Sequence, residues 1–449
     1  MVSNLIRSLG LVSAVAIIPA ATAALAAVDV DTYREFDEFM SVFNRVRAEY
    51  VEKVDEKTLL RGAIDGMLAS LDPHSAYLDE RGYTRMMTTT EGEYGGLGLN
   101  VTQEDGAVKV VAPIEDSPGF KAGIKAGDFI THIDGKLIYG GTLDEAVDQM
   151  KGAPGTSLTI TIVRPGRDKP FDVKLTRAVI ELKAVKWEVK DRVGIVNVNT
   201  FSRSTTAETL AAIAAIEKSL GAPPLGYIVD LRSNPGGLLD QAVGLSDVFL
   251  ERGEVVSQRG RAKTDIERYY AKPGDAARGL PVIVLVDAGS ASAAEIVAGA
   301  LQEHHRAIVM GERTFGKGSV QTLMSVGKDT ALRLTTARYY TPSGRSVQEG
   351  GITPDIEVPQ LSDPDYKTRP RLREADLRRH LINELKVEDD VVQDDAKPDP
   401  RFTATPEELK KKGIEDFQLH YALQSIARLG RTATAVKAVP MPQAKSGTR

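Results

Sequence analysis

Cysteine is absent from all 449 residues, tryptophan occurs once and histidine six times. The first absence excludes disulfides and every thiolate, whether as nucleophile or as metal ligand. His74, His132, His380 and His420 are isolated, and one helix points the adjacent His304 and His305 in different directions, so histidine offers neither a metal site nor an obvious base. Charge of one sign is lacking too. With 57 basic and 62 acidic side chains the formal net charge is −5, and without a dense basic patch a general nucleic-acid binder is excluded. The apolar runs are short for a comfortable transmembrane helix. A composition of 42% hydrophobic and 27% charged residues is ordinary for a globular chain long enough for two or three domains, each with its own core.

What is present begins at the N-terminus. Arg7 precedes the apolar stretch Leu11–Pro19, and Ala24-Leu25-Ala26 follows before the acidic residues start at Asp29. That is a basic region, a short apolar core and a small-residue cleavage site, so residues 1–26 read as a signal peptide and the mature chain starts near Ala27. The alternative for the same segment is an uncleaved anchor. Either way the chain is expected in the periplasm or secreted. Residues 27–92 carry helical periodicity in Phe36, Phe39, Met40, Phe43 and Val46, then in Leu59, Leu60, Ile64 and Met67. Nothing there suggests chemistry, and a packing or oligomerisation role is the expectation.

Residues 93–178 alternate like short strands, at Val108–Val111, Phe129–Ile133 and Leu158–Val163, with a helix over Leu143–Met150 and a hairpin turn at Arg164-Pro165-Gly166-Arg167. Ser117-Pro118 and Ala122–Asp128 resemble the turn of a PDZ domain. Such a domain binds a peptide as an added strand and holds its terminal carboxylate on backbone N–H groups. Gly95, Gly96, Leu97 and Gly98 fit that loop, since glycine lets the backbone approach a ligand closely. Ala146, Val147 and Met150 on the helix are expected to line the pocket for an apolar last side chain.

From 179 to 360 strands and helices alternate, the pattern of an α/β layered core. Two blocks in it carry chemistry. Val282–Val286 is an apolar strand, followed by Gly289-Ser290-Ala291-Ser292-Ala293-Ala294-Glu295-Ile296, a tight turn that opens a helix. A serine there can be exposed at the turn, and the helix N-terminus offers free N–H groups to a developing oxyanion. Further on, Thr314-Phe315-Gly316-Lys317-Gly318-Ser319-Val320-Gln321 sets one lysine between two glycines. A serine hydroxyl needs a neighbour to take its proton, and Ser-Lys pairs do this on unrelated folds. Together the blocks suggest a serine nucleophile with a lysine base.

These residues resemble the C-terminal processing peptidases, the tail-specific proteases, whose pattern runs GSAS-x-E-I and then T-F-G-K-G-x-V-Q. Asp230-Leu231-Arg232-Ser233-Asn234-Pro235-Gly236-Gly237, Tyr340–Gly344, Gly351–Asp355 and Leu71-Asp72-Pro73-His74-Ser75 match further blocks of that family. The resemblance implies Ser292 as nucleophile, Lys317 as general base and Gln321 as the residue orienting the lysine. It also implies an oxyanion hole from the N–H groups of Ala293 and of Gly236 or Gly237, and a crotonase-like core beside the PDZ domain. No cofactor or metal is needed. Lys317 must be neutral to act, which calls for burial away from acids, with Phe315 and Val320 as candidate apolar neighbours.

Beyond 360 the chain turns polar and reads as linker, with acidic residues at 389–395, an amphipathic helix from Phe417 to Leu429 and a disordered basic tail. The expected partners are protein substrates engaged by their C-termini, a homo-oligomeric copy, and an adaptor or activating lipoprotein; no nucleic acid is expected. Two rivals remain at this stage. One is a non-catalytic PDZ adaptor, against which the intact Ser292, Lys317 and Gln321 weigh. The other is an acyl-CoA enzyme on the same core, for which the PDZ segment has no use.

Overall fold

The structure is a computed structural model and describes residues 30–104, 106–366, 368–385 and 401–437. The signal-peptide reading of 1–26, the acidic stretch at 389–395 and the C-terminal tail lie outside the described residues. Two units are distinguished. The first, up to Gly66, holds helix α1 (Val30–Glu49) and most of α2 (Glu56–Ala69), with Arg47 bonded to Glu56 at 2.9 Å. Its apolar stripe stays in solvent: Phe36, Phe39, Met40 and Val46 are all exposed.

The second unit opens with strand β1 (Ala76–Leu78) and helix α3 (Glu80–Glu91), capped by the Asp79 carboxylate on the Gly82 N–H. Strand β2 (Glu93–Gly96) leads into β3 (Leu99–Glu104), β4 (Ala107–Pro113), the short helix α4 (Pro118–Lys121), β5 (Phe129–Ile133), β6 (Lys136–Leu137), α5 (Leu143–Met150), β7 (Ser157–Val163) and β8 (Phe171–Thr176). Their sheet runs β3-β4-β5-β7-β8, so β3 is an edge strand. Alternation explains it: Leu158, Ile160 and Ile162 point inward from β7 and are buried against Ala146 and Met150 of α5. Strand β9 (Ala178–Glu181) then pairs antiparallel with β2 in a separate ribbon, so the run from Gly95 is divided between two sheets.

The α/β core follows, as β10 (Val185–Lys190), β11 (Val193–Val198), α6 (Thr205–Leu220), β12 (Tyr227–Asp230), α7 (Leu239–Asp247), β13 (Gly253–Arg259), β14 (Ile266–Ala271), β15 (Val282–Val286), α8 (Ala293–Glu303), β16 (Ile308–Gly311), β17 (Ser319–Ser325), β18 (Ala331–Tyr340) and β19 (Ile356–Glu357). Strands β11, β12, β15, β16 and β19 are parallel neighbours, and β10 adds antiparallel at one edge. The run Val282-Ile283-Val284-Leu285-Val286 has no polar alternation because both faces are covered. Val282, Val284 and Val286 pack in the cluster that holds α6, α7 and α8, and Ile283 and Leu285 pack with Leu419, Ala422 and Ile426 of the C-terminal helix Phe417–Lys437. Each such aliphatic side chain contributes about 1.5–3 kcal/mol of burial.

A second sheet, β1-β18-β13-β14 with β17 on β18, flanks this core. It draws β1 from the segment expected to be part of a helical N-terminal region, because Ala76–Leu78 pairs with Ala331–Arg333 of β18. The polar segment after 360 also differs from the linker expectation. Its described part includes a 3₁₀ turn, Glu374–Asp376, with Glu374 fully buried, and Arg232 in the core grips Asp416 at 2.8 and 3.0 Å just before the C-terminal helix.

Candidate active site

Strand β15 delivers the chain to a tight turn, and Ser292 stands at its end as the residue before α8. Its backbone is at φ 55°, ψ −113°, a region a non-glycine residue occupies at a cost of order 1–3 kcal/mol. The turn is pinned by Ser290, whose Oγ donates to the Leu231 carbonyl at 2.8 Å and accepts the Asp287 N–H at 3.0 Å. Ser290 is fully buried in that structural role. Ser292 is not bound in this way. The Glu295 N–H reaches the Ser292 carbonyl, at 2.9 Å, instead of its side chain, and the hydroxyl is left unengaged by its own helix.

Glu295 belongs to the serine motif, yet the sequence alone assigns it no function. It is wholly buried, and its carboxylate accepts four bonds. Oε2 takes the N–H of Ser292 at 2.7 Å and of Lys317 at 2.9 Å; Oε1 takes the Gly316 N–H at 2.7 Å and the Thr314 hydroxyl at 2.5 Å. One carboxylate oxygen therefore holds the backbones of both Ser292 and Lys317. Burial pushes this carboxyl up to about 7, against the pull of its donors. The signal for it is an acid three residues into a helix, which reads as a capping box; nothing in the spacing announces the second loop.

Lys317 lies between Gly316, at φ 94°, and Gly318, just ahead of β17. A Cβ on Gly316 would meet the Glu349 carbonyl oxygen at 2.6 Å, and one on Gly318 the Gln348 nitrogen at 2.4 Å, so the loop's close approach needs both glycines. Burial, and then the Arg333 guanidinium, push the lysine below its ordinary value, while Glu374, Glu295 and Asp72 pull it back. The expectation of burial away from acids is thus corrected: three carboxylates act on the amine, and a cation offsets them. Gln321 is close in the chain, at a bulge between β17 and β18, but its amide donates to Ser319 at 3.0 Å and Thr335 at 3.3 Å. Among the described residues no hydrogen bond joins Gln321 to Lys317, or Lys317 to Ser292. A further neighbour has no mark in the sequence. Tyr339, whose N–H donates to the Gly318 carbonyl at 2.7 Å, interacts through its hydroxyl with the Ser292 side chain, and burial pushes that phenol up to about 12.

For the oxyanion the structure separates the two glycines. A Cβ on Gly236 would sit 2.9 Å from the Ser292 Cβ and 3.0 Å from the Ala293 nitrogen, so this loop lies directly against the serine. The Gly236 N–H, however, is taken by the Asn234 side chain at 2.8 Å, which corrects its place as a donor. Asn234 is fully buried and also donates to the Val198 carbonyl at 2.7 Å. Among the described residues the N–H groups of Gly237 and Ala293 have no partner.

A second site lies between β3 and α5. Tyr94, Gly96, Leu97, Gly98, Leu99, Val147, Met150 and Lys151 line a small open pocket there. Two expected residues fall elsewhere. Ala146 is buried in the core of this domain, and Gly95 belongs to the ribbon, where a Cβ would collide with the Gly152 carbonyl at 2.1 Å. Gly98, at φ 69°, is packed on Ser117, and the Leu97 and Gly98 N–H groups have no partner among the described residues. Lys151, over the Tyr94 ring at 5.5 Å, brings a cation to the same pocket.

Comparison with known proteins bears on both sites. The model of peptidase family S41 matches residues 192–358, a PDZ domain model matches 109–164, and the N-terminal domain of the activating protease CtpB matches 19–82. A carboxy-terminal-processing protease of Bartonella bacilliformis is 52% identical over 353 residues, 78% of this chain and 81% of that one. The carboxy-terminal processing proteases CtpA and CtpB of Bacillus subtilis are 36% and 35% identical, over 75% and 77% of this chain and 71% and 72% of theirs.

Glu295→Gln would turn an amide N–H₂ against backbone N–H donors on one side of the carboxylate. We expect it to lower stability by about 2–4 kcal/mol, read as a lower urea midpoint at unchanged slope. An unchanged midpoint would mean that the carboxylate does not hold the two loops.

Proposed function

The chain belongs to the carboxy-terminal processing proteases of peptidase family S41, a serine-type peptidase with a PDZ domain, and from this we propose an exported endopeptidase that uses a Ser292–Lys317 dyad. The observation carrying the reading is the single Glu295 oxygen that binds the Ser292 and Lys317 backbones together. In this mechanism Lys317, as the neutral amine, takes the Ser292 proton while Oγ adds to the scissile carbonyl. The Gly237 and Ala293 N–H groups stabilise the oxyanion. Lys317, now ammonium, gives its proton to the leaving amine, and a water deprotonated by the same lysine then hydrolyses the acyl-enzyme. Tyr339 stays a neutral phenol at physiological pH and serves as a hydrogen-bond partner of the nucleophile, not as a base. Gln321 acts through the β17–β18 hairpin that carries Lys317, since its amide is bonded to Ser319 and Thr335.

The core is read as crotonase-like, with the parallel strands β11, β12, β15 and β16 and their helices positioning the serine turn. Substrates are proteins captured by their C-termini. The substrate tail adds to the open edge of β3, its carboxylate on the Leu97 and Gly98 N–H groups and its last side chain against Val147 and Met150. The remaining parts of the proposal are a signal peptide over 1–26, a periplasmic or secreted location, an adaptor or activating lipoprotein, and a homo-oligomer using the exposed stripe of α1.

Activity should rise with pH as Lys317 loses its proton, because only the free amine accepts the serine proton, and the midpoint should lie below that of an ordinary lysine. Lys317→Arg, which keeps the charge but holds its proton throughout, should lose nearly all kcat/KM on an unstructured protein. An active arginine variant would remove the dyad. Amidating a substrate's C-terminus should weaken its binding about tenfold or more, through loss of a charge-assisted contact; equal binding of acid and amide would remove carboxylate recognition. Protein recovered from the exported fraction should start near Ala27 and sediment as more than a monomer. Retention of Met1 would favour an anchor, and a monomer would remove the oligomer.

A further inference from the structure

Glu374 is a fully buried carboxylate that no step above uses, in a segment whose sequence reads as linker. Both its oxygens face His74 Nε2, at 2.9 and 3.0 Å, and Oε1 also accepts Gln348 Nε2 at 3.1 Å. Gln348, itself fully buried, turns its own oxygen to the Gly318 N–H at 3.0 Å. The Glu374 backbone N–H donates to the Phe315 carbonyl at 3.0 Å. Glu374 thus holds the chain on both sides of Lys317, directly at Phe315 and through Gln348 at Gly318. His74 ties in the opposite charge, because its carbonyl accepts Arg333 Nε at 2.9 Å.

We propose that Glu374, oriented by His74 and linked through Gln348, is a positioning residue that clamps the loop of the general base and holds the Lys317 amine in line with Ser292. The proposal rests on the Ser-Lys reading. It also gives the Leu71–Ser75 segment a role. His74 orients the clamp, and Asp72, which accepts the N–H groups of His74 and Ser75 at 2.8 Å each, fixes the turn that presents His74. The alternative is that the cluster only fastens the segment around 374 to the core.

The charged groups that face Lys317 are Glu295 from α8, Arg333 from β18, Asp72 from the turn before β1, and Glu374. Glu374 in turn faces His74, with His380 further along the same segment. Removing the Glu374 charge while keeping its size therefore favours the free amine of Lys317.

The test is kcat and KM against pH for cleavage of an unstructured protein by the full chain. In Glu374→Gln the rising limb should move to lower pH with KM unchanged. His74→Leu removes the donor to Glu374 and should lower kcat about tenfold at unchanged KM, since misalignment of a reacting group acts on the chemical step. His74→Gln, which offers an amide N–H in its place, should recover most of that loss. A limb that stays in place in Glu374→Gln with normal kcat overturns the clamp. So do equal losses in the two His74 variants that merely follow their melting temperatures. If Glu374→Gln does not fold, the His74 pair decides. Activity retained by Lys317→Arg would instead remove the base itself, and the clamp with it, so the two failures are told apart.

Discussion

Glu295 places a carboxylate where water does not reach, and its four hydrogen bonds come from two separate stretches of chain, the turn at Ser292 and the loop from Thr314 to Lys317. A buried charge without partners costs several kcal/mol, so neither stretch can leave without exposing that penalty. The strained backbone of Ser292 is one consequence. Its φ of 55° is tolerable because the Glu295 carboxylate, the Asn234 carbonyl at the Ala291 N–H and the buried Ser290 hydroxyl over-determine the turn. At the helix start it is the Glu295 carboxylate that accepts the Ser292 N–H, at 2.7 Å.

The lysine's surroundings show how closely opposed the forces on it are. Burial and Arg333 favour the neutral amine, and Glu374, Glu295 and Asp72 favour the ammonium. Burial leads, so the net direction is downward, and the three carboxylates oppose it. The proposed role, taking a proton from Ser292 and returning one to a leaving amine, needs that balance. Every member of the set comes from a different element: Asp72 from the turn before β1, Glu295 from α8, Arg333 from β18, Glu374 from the 3₁₀ turn. The second sheet, in which β1 pairs with β18, brings the first and third of these together.

Local signals in the sequence are legible. The helix over Leu143–Met150, the hairpin after Val163 and the apolar strand before Ser292 all have a period or a turn residue of their own. Ser292, Lys317 and the glycines at 236 and 237 can be singled out as candidates because the motif blocks are contiguous. What stays hidden depends on partners far away in the chain. Glu374 reads as one more acid in a polar stretch until His74, 300 positions earlier, is seen against it. Arg333 has no local mark either. The glycine run is legible as a close-approach loop, but not which glycine does what. Gly95 serves the ribbon with β9, and Gly236 gives its N–H to Asn234, because both outcomes are set by neighbours in space. Helical phase alone puts Ala146 in the pocket, and one face of a short helix cannot tell core from groove.

The proposed Ser292–Lys317 dyad requires Lys317 to be a buried amine held below the ordinary lysine range. An NMR titration of the lysine side-chain carbons, with the Lys317 signal assigned by its absence in Lys317→Arg, measures this without relying on turnover. One resonance should have a midpoint clearly below ~10.4, the value of a free lysine, and should move to a different midpoint when Arg333 is replaced by methionine. A Lys317 signal that titrates at or above the free-lysine value would contradict the dyad.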